Sequence, residues 1–436
     1  MKKFLSNYKP TIILLVAIIV GAIIGIVFQE KATVLKPFGD IFLNLLLVTI
    51  VPLVFTTITT SIAKMKTKKR LGKIIGTIFV VFVITSVIAV LIGFASTYFV
   101  KLVKPEDGKR IMQALSNEES TQNEEKAKTD EENLEQAEPT IAQRTVELLT
   151  VDDFSKLLSK NNVIALLVFS VICGIAINMS KEKGKVFLEF MVSLNEVIQN
   201  IIKIIMYYAP IGLGCYFAYL VGSFGASIAV GYLKTFLIYT LVAFLYYFIM
   251  YTIYAFIAGG KLGVKLFWKN VLPSTITSLA TCSSAASIPV NIESTKKMGV
   301  PDDIAETTVP MGTSFHKDGS IIGSVFKIMF LVCLFGTNLN SISSIMGVLG
   351  IAILANLLIT GVPIGGGTIS EMLIISMMGY PVSALPILTM IATIIDPPAT
   401  MLNVVGDTVS SMLVARIVDG KEWIKKNTAN KDSKKI

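Results

Sequence analysis

The chain has 436 residues, of which 53% are hydrophobic and only 16% are charged, and its mean hydropathy is +0.70. This composition is typical of an integral membrane protein, because several apolar stretches approach the roughly 20 residues that a helix needs to cross a bilayer. The formal net charge of +9 comes from basic clusters beside apolar segments. That placement indicates membrane topology rather than nucleic-acid binding.

Six apolar segments lie at 10–28, 40–63, 74–103, 162–179, 186–220 and 226–258. Basic clusters lie at 2–3, 64–73 and 421–435, and if all three are cytoplasmic, both termini are inside. The acidic, polar segment from Lys104 to Glu138 would then be a disordered external loop. Since no small-residue cleavage site follows the first apolar segment, we expect that segment to be retained.

Several classes of chemistry are disfavoured by the sequence. The four cysteines show no CxxC spacing, which supports neither a zinc site nor a disulfide framework. A single histidine, His316, cannot form an HExxH metalloprotease motif. The GxGD signature of an intramembrane aspartyl protease is missing, since residues 404–407 read Val-Val-Gly-Asp.

Two interruptions with similar composition occur in the last third of the chain. They are TSLATCSSAASIPV (277–290) and ITGVPIGGGTISEM (359–372), each between apolar arms of about 12–18 residues, which is short for a full span. Non-helical backbone at membrane depth needs protein or water to satisfy its polar groups. Paired interruptions of this kind indicate a binding site between inverted repeats of a transporter. We therefore predict two re-entrant hairpins; two ordinary polar loops are the alternative.

Each interruption is followed by a long segment that carries ionisable residues. The first, 307–335, contains His316, Lys317 and Asp318 in sequence; the second, 387–417, contains Asp396, Asn403 and Asp407. The spacing of the latter three residues, i, i+7 and i+11, keeps them on one helical face. Ionisable residues within a membrane are costly, so both groups are candidate functional sites.

The stretches CSSAASIPV, GTSFHKDGS, GVPIGGG and DPPATMLNVVGD resemble, in order, four motifs of the glutamate transporter homologues, the dicarboxylate/amino acid:cation symporter family. The resemblance covers nearly the whole chain. It implies an all-α polytopic membrane protein with eight transmembrane helices, two re-entrant hairpins, inverted repeats and an elevator-type mechanism. It further implies a homotrimer in the plasma membrane, a small amino-acid substrate and coupling by Na⁺ and/or H⁺. Neither a resident cofactor, an enzymatic activity nor a nucleic-acid partner is implied.

The resemblance also implies a division of the chain into scaffold and transport parts. The implied parts are scaffold helices 1 and 2 (1–69), transport helix 3 (70–103), an extracellular acidic loop (104–145), scaffold helices 4 and 5 (146–225), the main transport domain (226–417) and a basic cytoplasmic tail (418–436). The main transport domain would comprise helix 6, the first hairpin, helix 7, the second hairpin and helix 8.

Single residues inherit expected roles from the matching motifs. Asp396 takes the position that binds the substrate's α-amino group, and Asn403 the position that holds its α-carboxylate. The other implied substrate-binding positions are Ser283, Ser284, Ser320, Val362, Pro363, Gly365, Ala399 and Thr400. The positions implied for a coupling sodium ion are Thr85, Ser86, Asp318, Asn403 and Asp407.

Two departures from the family pattern concern the substrate. Members that transport acidic substrates have an arginine three residues after the amino-binding aspartate, where this chain has Ala399, and Cys282 replaces an arginine at the first hairpin tip. A carboxylate is usually held by a fixed bidentate partner. We therefore predict a neutral amino acid of the serine, threonine, alanine, cysteine or cystine type. The alternatives are an acidic amino acid or dicarboxylate with Lys317 as its partner, and a sodium-independent amino-acid exchanger.

A third departure concerns the coupling ion. The family's Asn-Met-Asp-Gly-Thr break reads HKDGS (316–320) in this chain. Lys317 could compensate Asp318 in place of a sodium ion, and His316 could carry a proton. The alternative is a static buried pair of Lys317 and Asp318 beside a neutral, hydrogen-bonded His316.

Two further charges lie in the same region. Glu371 is a second candidate proton carrier, with a vestibule-facing carboxylate as the alternative. Lys327 is expected to snorkel or to form an ion pair.

Overall fold

Helices account for all the regular structure in the part of the chain that the computed structural model describes, which is residues 2–63, 69–100, 102–103, 146, 149–159, 162–357 and 367–424. The first half contains α1 (Lys2–Phe28), α2 (Lys36–Ala63), α3 (Lys69–Tyr98), α4 (Phe154–Leu157), α5 (Val163–Met179) and α6 (Lys185–Phe224). Short 3₁₀ turns, Gln29–Leu35 and Lys181–Gly184, precede α2 and α6.

The second half contains α7 (Ala226–Asn270), α8 (Leu272–Thr281), α9 (Ser284–Lys297), α10 (Asp302–Phe315), α11 (Asp318–Phe335), α12 (Ile342–Leu357), α13 (Gly367–Met378) and α14 (Leu385–Asp419). A 3₁₀ turn, Val382–Ala384, leads into α14.

Six of the described stretches are long and apolar enough to cross a membrane: Val16–Phe42, Gly72–Tyr98, Lys181–Ser223, Ile228–Asn270, Asp302–Phe335 and Val382–Asp419. This confirms the prediction of a multi-pass helical membrane protein. The total of eight membrane helices stays a prediction, because α5 and α12 are shorter than these six stretches.

The first interruption forms two short helices that pack against each other, α8 and α9. They have 10 and 14 residues, or about 15 and 21 Å, so neither spans a core of about 30 Å. Between them, Cys282 takes a left-handed conformation (φ 46°), and the Ser283 hydroxyl accepts a hydrogen bond from the amide of Ala286 at 3.2 Å. The tip is therefore a tight turn followed by a capped helix start.

The second interruption is also bounded by two helices that contact each other, α12 and α13. Its tip is the segment 358–366, which contains Val362, Pro363 and Gly365 and lies outside the described residues. The substrate-binding roles of these three residues therefore stay predictions.

The HKDGS segment breaks a helix. His316 is extended (φ −124°, ψ 117°) and Lys317 is also non-helical (φ −148°, ψ 67°), so that α10 ends at Phe315 and α11 starts at Asp318. In this unwound stretch, ring and carboxylate side chains project between helices. The break thus supplies the local geometry for a site.

Helix α7 bends sharply near its end. Gly259 and Gly260 leave helical geometry, and Gly260 has φ 60° and ψ −150°, a combination that essentially only glycine adopts. The chain after α14 packs on this bend, where the Trp423 indole donates a hydrogen bond to the carbonyl of Ala258 at 2.8 Å. The C-terminal end of α14 is therefore tied to α7.

The helices pack in two groups. In the first, α1 and α2 pack along α6, and α2 packs on α5; in the second, α14 contacts α3 and α7 to α11, while α11 also packs on α3. The groups are joined by contacts of α6 with α7, of α1 with α7 and α8, and of α13 with α2 and α5. The predicted division into scaffold and transport parts stays a prediction.

Candidate substrate and cation site

One face of α14 carries the polar stripe and lies against the start of α11. Thr400 donates a hydrogen bond to Asp396 Oδ1 at 3.2 Å. The Asn403 side chain donates to Ser320 Oγ at 2.9 Å and accepts from the Ser320 amide at 3.1 Å. Asp396 is only half-buried, whereas Asp407, three turns along the same face, is fully buried. The half-buried carboxylate is the one open to a ligand.

The close contact of α11 with α14 depends on a glycine. A Cβ on Gly319 would overlap the backbone carbonyl of Ala399, so a side chain at this position would force the helices apart. The Gly319 carbonyl accepts a hydrogen bond from Tyr239 at 2.8 Å. Ala399 and Ser320, two of the positions predicted to bind substrate, are therefore held at fixed places on the two facing helices.

The hairpin arm α9 is also fastened to α14. The Asn291 amide donates to the carbonyl of Val404 at 2.8 Å, and the Thr408 hydroxyl donates to Asn291 Oδ1. The tip residues Ser283 and Ser284 precede this anchored arm: Ser283 is buried and caps α9, and Ser284 is its first residue.

His316 lies between two carboxylates at the break between α10 and α11. Its Nδ1 is 3.0 Å from Asp407 Oδ1, its Nε2 is 3.1 Å from Asp318 Oδ1, and Nε2 is 2.7 Å from Thr85 Oγ1. All four side chains are buried, and Phe82 stacks on the imidazole at 4.3 Å between ring centroids. The ring therefore occupies the centre of the predicted sodium-binding set.

The donors and acceptors around this ring fit an imidazolium. The Thr85 hydroxyl is within hydrogen-bond distance of the carbonyls of Val81 (3.1 Å) and Phe82 (3.2 Å), so it can donate there and accept from Nε2–H. At the other nitrogen the neighbour is a carboxylate oxygen, an acceptor. Only the charged ring has an N–H on both nitrogens. One positive group then faces the two negative groups Asp318 and Asp407.

Tyrosines of α7 complete the cluster. Tyr246 donates to Asp318 Oδ2 at 3.2 Å, while the Tyr251 hydroxyl lies 3.5 Å from the same oxygen and 2.6 Å from the carbonyl of Leu402. A Cβ on Gly406 would come within 2.9 Å of the Tyr251 hydroxyl. Sequence reasoning missed these residues, for which the run of tyrosines in α7 was the available signal.

Some acceptor capacity remains at this cluster. Asp318 Oδ1 and Asp407 Oδ2, with the Ser86 hydroxyl, are buried without a well-directed hydrogen-bond partner among the described residues. Asp318 Oδ1 does lie 3.1 Å from the His316 ring, so this contact is electrostatic rather than a well-formed hydrogen bond. Asn403, predicted for the same sodium set, instead bonds Ser320.

Lys317 follows His316 in the break. The ring of His316 lies between Asp318 and Asp407. Lys317 is half-buried and interacts electrostatically with Asp407. Charge compensation by Lys317 therefore stays a prediction.

A second buried ion pair lies near the substrate stripe. Lys327 Nζ is 3.6 Å from Glu371 Oε1, and Thr389 donates to Glu371 Oε2 at 2.7 Å. Lys327 therefore forms an ion pair, which is one of the two outcomes expected from the sequence. The alternative of an exposed or vestibule-facing carboxylate at Glu371 is wrong, because this side chain of α13 is fully buried against Lys327 of α11 and Thr389 of α14.

These features define a multi-pass helical membrane protein with ionisable groups in its interior, the class to which membrane carriers belong. The model of the sodium:dicarboxylate symporter family matches residues 11–417. The chain therefore belongs to this family of transporters.

Named relatives are similar along almost their whole length. A C4-dicarboxylate transport protein of Anaeromyxobacter sp. (strain K) is 27% identical over 409 residues, covering 92% of this chain and 88% of the relative. The C4-dicarboxylate transport protein of Bacillus subtilis (strain 168) is 26% identical over 417 residues, with 93% of each chain covered. The proton/sodium-glutamate symport protein of Geobacillus stearothermophilus is 26% identical over 410 residues, with 92% of each covered.

Proposed function

We propose that the protein is a cation-coupled symporter that takes up a neutral amino acid of the serine, threonine, alanine, cysteine or cystine type. The family supports coupled transport of a small anionic or zwitterionic solute. The observation that carries the finer proposal is the half-buried Asp396 beside Thr400 and Asn403, with alanine at position 399. A carboxylate in this setting forms charge-assisted bonds with an ammonium group.

The charges near the stripe argue against a second substrate carboxylate. Ala399 supplies no cation, Lys327 is engaged by Glu371, and Lys317 interacts with Asp407. Burying an extra carboxylate without a partner costs several kcal/mol. A zwitterion needs only Asp396 for its ammonium and the serine tip with Asn403 for its carboxylate.

A second candidate has support from the named relatives, which are C4-dicarboxylate and glutamate transporters. In that case the substrate is an acidic amino acid or a dicarboxylate, with Lys317 as the carboxylate partner. A sodium-independent amino-acid exchanger is a further variant of the same architecture.

The mechanism that we propose is of the elevator type. A scaffold of 1–69 and 146–225 would hold a homotrimer in the plasma membrane, and a transport domain of 70–103 and 226–417 would move across it. Eight transmembrane helices and two re-entrant hairpins are part of this proposal. Both termini, with the tail 418–436, would be cytoplasmic, and the loop 104–145 external. The two packing groups of helices support this division.

The coupling ions in this proposal are Na⁺ and/or H⁺. Because the His316 ring fills the space between Asp318 and Asp407, we infer that it takes the place of one sodium ion of the family's scheme. Thr85, Ser86, Asn403 and Asp407 keep the oxygen-bearing side chains of the family pattern. Of their atoms, Ser86 Oγ and Asp407 Oδ2 are buried without a hydrogen-bond partner among the described residues and are the oxygen ligands proposed for an ion that the carrier still binds.

The test is uptake into proteoliposomes. Labelled serine, threonine, alanine, cystine, aspartate and succinate are offered in parallel, each with an imposed sodium gradient, an imposed proton gradient or neither. Saturable, gradient-driven uptake of a neutral amino acid supports the proposal. Gradient-driven uptake confined to aspartate or succinate supports the second candidate, and uptake by exchange alone supports the exchanger.

A further inference from the structure

The ion pair of Lys327 and Glu371 has no part in the proposed substrate contacts, although both side chains are buried. Glu371 is held from two sides, by Lys327 at 3.6 Å and by the Thr389 hydroxyl at 2.7 Å. A buried ion pair gains little stability over apolar residues of similar volume, so it is weak evidence for a purely structural role. The position of the ion pair relative to Asp396 indicates a functional role.

Lys327 lies beside α14, just before the N-terminal end of the polar stripe. Helices α11 and α14 run antiparallel, with Gly319 beside Ala399 and Gly323 beside Ile395. Lys327 is one turn beyond Gly323, so its backbone is level with the residue one turn before Ile395.

From that level, two anions are within reach of the flexible lysine stem. Asp396 is about five residues, or roughly 7.5 Å, along α14 in one direction, and the Lys327 ammonium interacts with it electrostatically. Glu371 lies in the other direction, bound to Thr389, and is the anion that the ammonium contacts. The lysine is thus positioned between two alternative partners.

We propose that Glu371 is a positioning residue that holds the Lys327 ammonium away from Asp396 and so keeps the Asp396 carboxylate available to the substrate. This inference rests on the proposed function, in which Asp396 binds the substrate's ammonium group. Without Glu371, the Lys327 ammonium would form with Asp396 the same charge-assisted contact that the substrate needs, and would compete with it from within the protein.

The charge balance of the three residues agrees with this role. Asp396, Glu371 and Lys327 together carry one net negative charge, which a single substrate ammonium neutralises. Removal of the Glu371 charge leaves a neutral pair, and an incoming ammonium would then add an uncompensated positive charge at low dielectric.

The test compares a single variant with a double variant. Each is characterised by the concentration dependence of uptake into proteoliposomes. The probe is labelled L-serine, L-threonine, L-alanine or L-cystine, whichever the wild type takes up. Glu371→Gln, which keeps the size of the side chain, is expected to raise KM about tenfold, the effect of one charge-assisted bond, with little change in maximal rate. Adding Lys327→Met removes the competitor, so the double variant should return to within about threefold of the wild-type KM.

Thr389→Val gives a second test that keeps every charge. It frees one oxygen of Glu371 and is expected to raise KM about threefold in the wild-type background. In the Lys327→Met/Glu371→Gln background it should have no further effect. Size-exclusion profiles and melting temperatures identify any variant that does not fold.

The outcomes separate this inference from the proposed function. A wild-type KM in Glu371→Gln, or an unrelieved KM in the double variant, overturns the positioning role, as does an equal effect of Thr389→Val in both backgrounds. If Asp396→Asn itself transports with the wild-type KM, or no amino acid is taken up, the proposed function fails and the inference falls with it.

Discussion

His316 has an environment that few residues within a membrane have, with a carboxylate oxygen about 3 Å from each ring nitrogen. Two carboxylates buried on either side of one ring need a positive partner, because each unpaired charge at low dielectric is costly. The resemblance implies that sodium ions provide this positive charge in related carriers. In this chain the His316 ring lies between the two carboxylates, and in the proposed function it provides the positive charge.

The first residue-scale prediction follows from the position of the His316 ring between these carboxylates. His316→Asn restores the family residue and leaves Asp318 and Asp407 without their positive neighbour, so these carboxylates should recruit a cation from solution. We expect external sodium to stimulate the initial uptake rate of the variant about tenfold more than it stimulates that of the wild type. Initial uptake rates over a series of sodium concentrations measure this.

Lys317→Met, the adjacent family residue, serves as the comparison variant. A sodium dependence that changes in Lys317→Met but not in His316→Asn would assign the compensating charge to the lysine. It would contradict the placement of the imidazole between the two carboxylates.

The second residue-scale prediction concerns Ala399. Arginine at this position supplies the bidentate partner that a second substrate carboxylate lacks, and charged hydrogen bonds contribute about 1.5–3 kcal/mol. Ala399→Arg should therefore improve the affinity for aspartate by at least about tenfold relative to the wild type. Competition of aspartate against uptake of the native substrate measures the change. If the wild type already takes up aspartate as well as any neutral amino acid, the argument from position 399 is wrong.

At the scale of the helices, the contact of α9 with α14 determines whether the first hairpin and the polar stripe behave as a unit. Asn291 carries this contact with one amide that both donates and accepts, and its side chain is buried. Its hydrogen bonds are made with Val404 and Thr408, neither of which is a predicted substrate-binding residue. A variant there therefore reports on the hairpin's attachment alone.

We predict that Asn291→Leu lowers the melting temperature of the purified protein. The substitution keeps the size of the side chain but leaves the Thr408 hydroxyl and the Val404 carbonyl with fewer partners, at about 1–3 kcal/mol for each buried group left unpaired. Thr408→Val, which removes one of the two bonds, should have a smaller effect in the same direction. Asn200→Leu, at an exposed position on α6, is the matched control, and equal melting temperatures for the two leucine variants would refute the attachment.

At the scale of the whole molecule, the first packing group is built on close contact of small residues. A Cβ on Gly21 of α1 would overlap the carbonyl of Gly214 on α6, and one on Gly25 would lie 2.7 Å from Cβ of Val221. Small residues that let backbones approach are the usual basis of helix association in membranes. This interface belongs to the group that lacks the substrate stripe.

Gly21→Val should therefore damage stability without changing the site. Overpacking of this kind costs about 1–3 kcal/mol, so we expect a lower melting temperature but an unchanged substrate Kd in the protein that remains folded. Gly76→Val, on α3 where no atom of the described residues lies within 4 Å of the added Cβ, is the control. A Kd that shifts in Gly21→Val would show that the two groups of helices do not behave separately.

The sequence predicted the parts of this molecule that depend on local patterns. Hydropathy located the long helices, and the small residues around Cys282 predicted the turn between α8 and α9. The contacts that define the cation site join residues far apart in the chain, such as Thr85 with His316 and His316 with Asp407. No local pattern specifies which of the two adjacent basic residues, His316 or Lys317, lies between Asp318 and Asp407, so the position of the His316 ring could not be predicted from the sequence.

The most direct test of the account is ligand binding to purified protein, followed as the rise in melting temperature that a bound ligand produces. We predict that at least one of serine, threonine, alanine or cystine stabilises the wild type, whereas succinate, which has two carboxylates and no ammonium group, does not. Asp396→Asn should lose this stabilisation, since loss of bonds worth about 1.5–3 kcal/mol weakens binding by one to two orders of magnitude. Stabilisation by succinate but by none of the amino acids, or an Asp396→Asn variant that binds amino acids as the wild type does, would contradict the account.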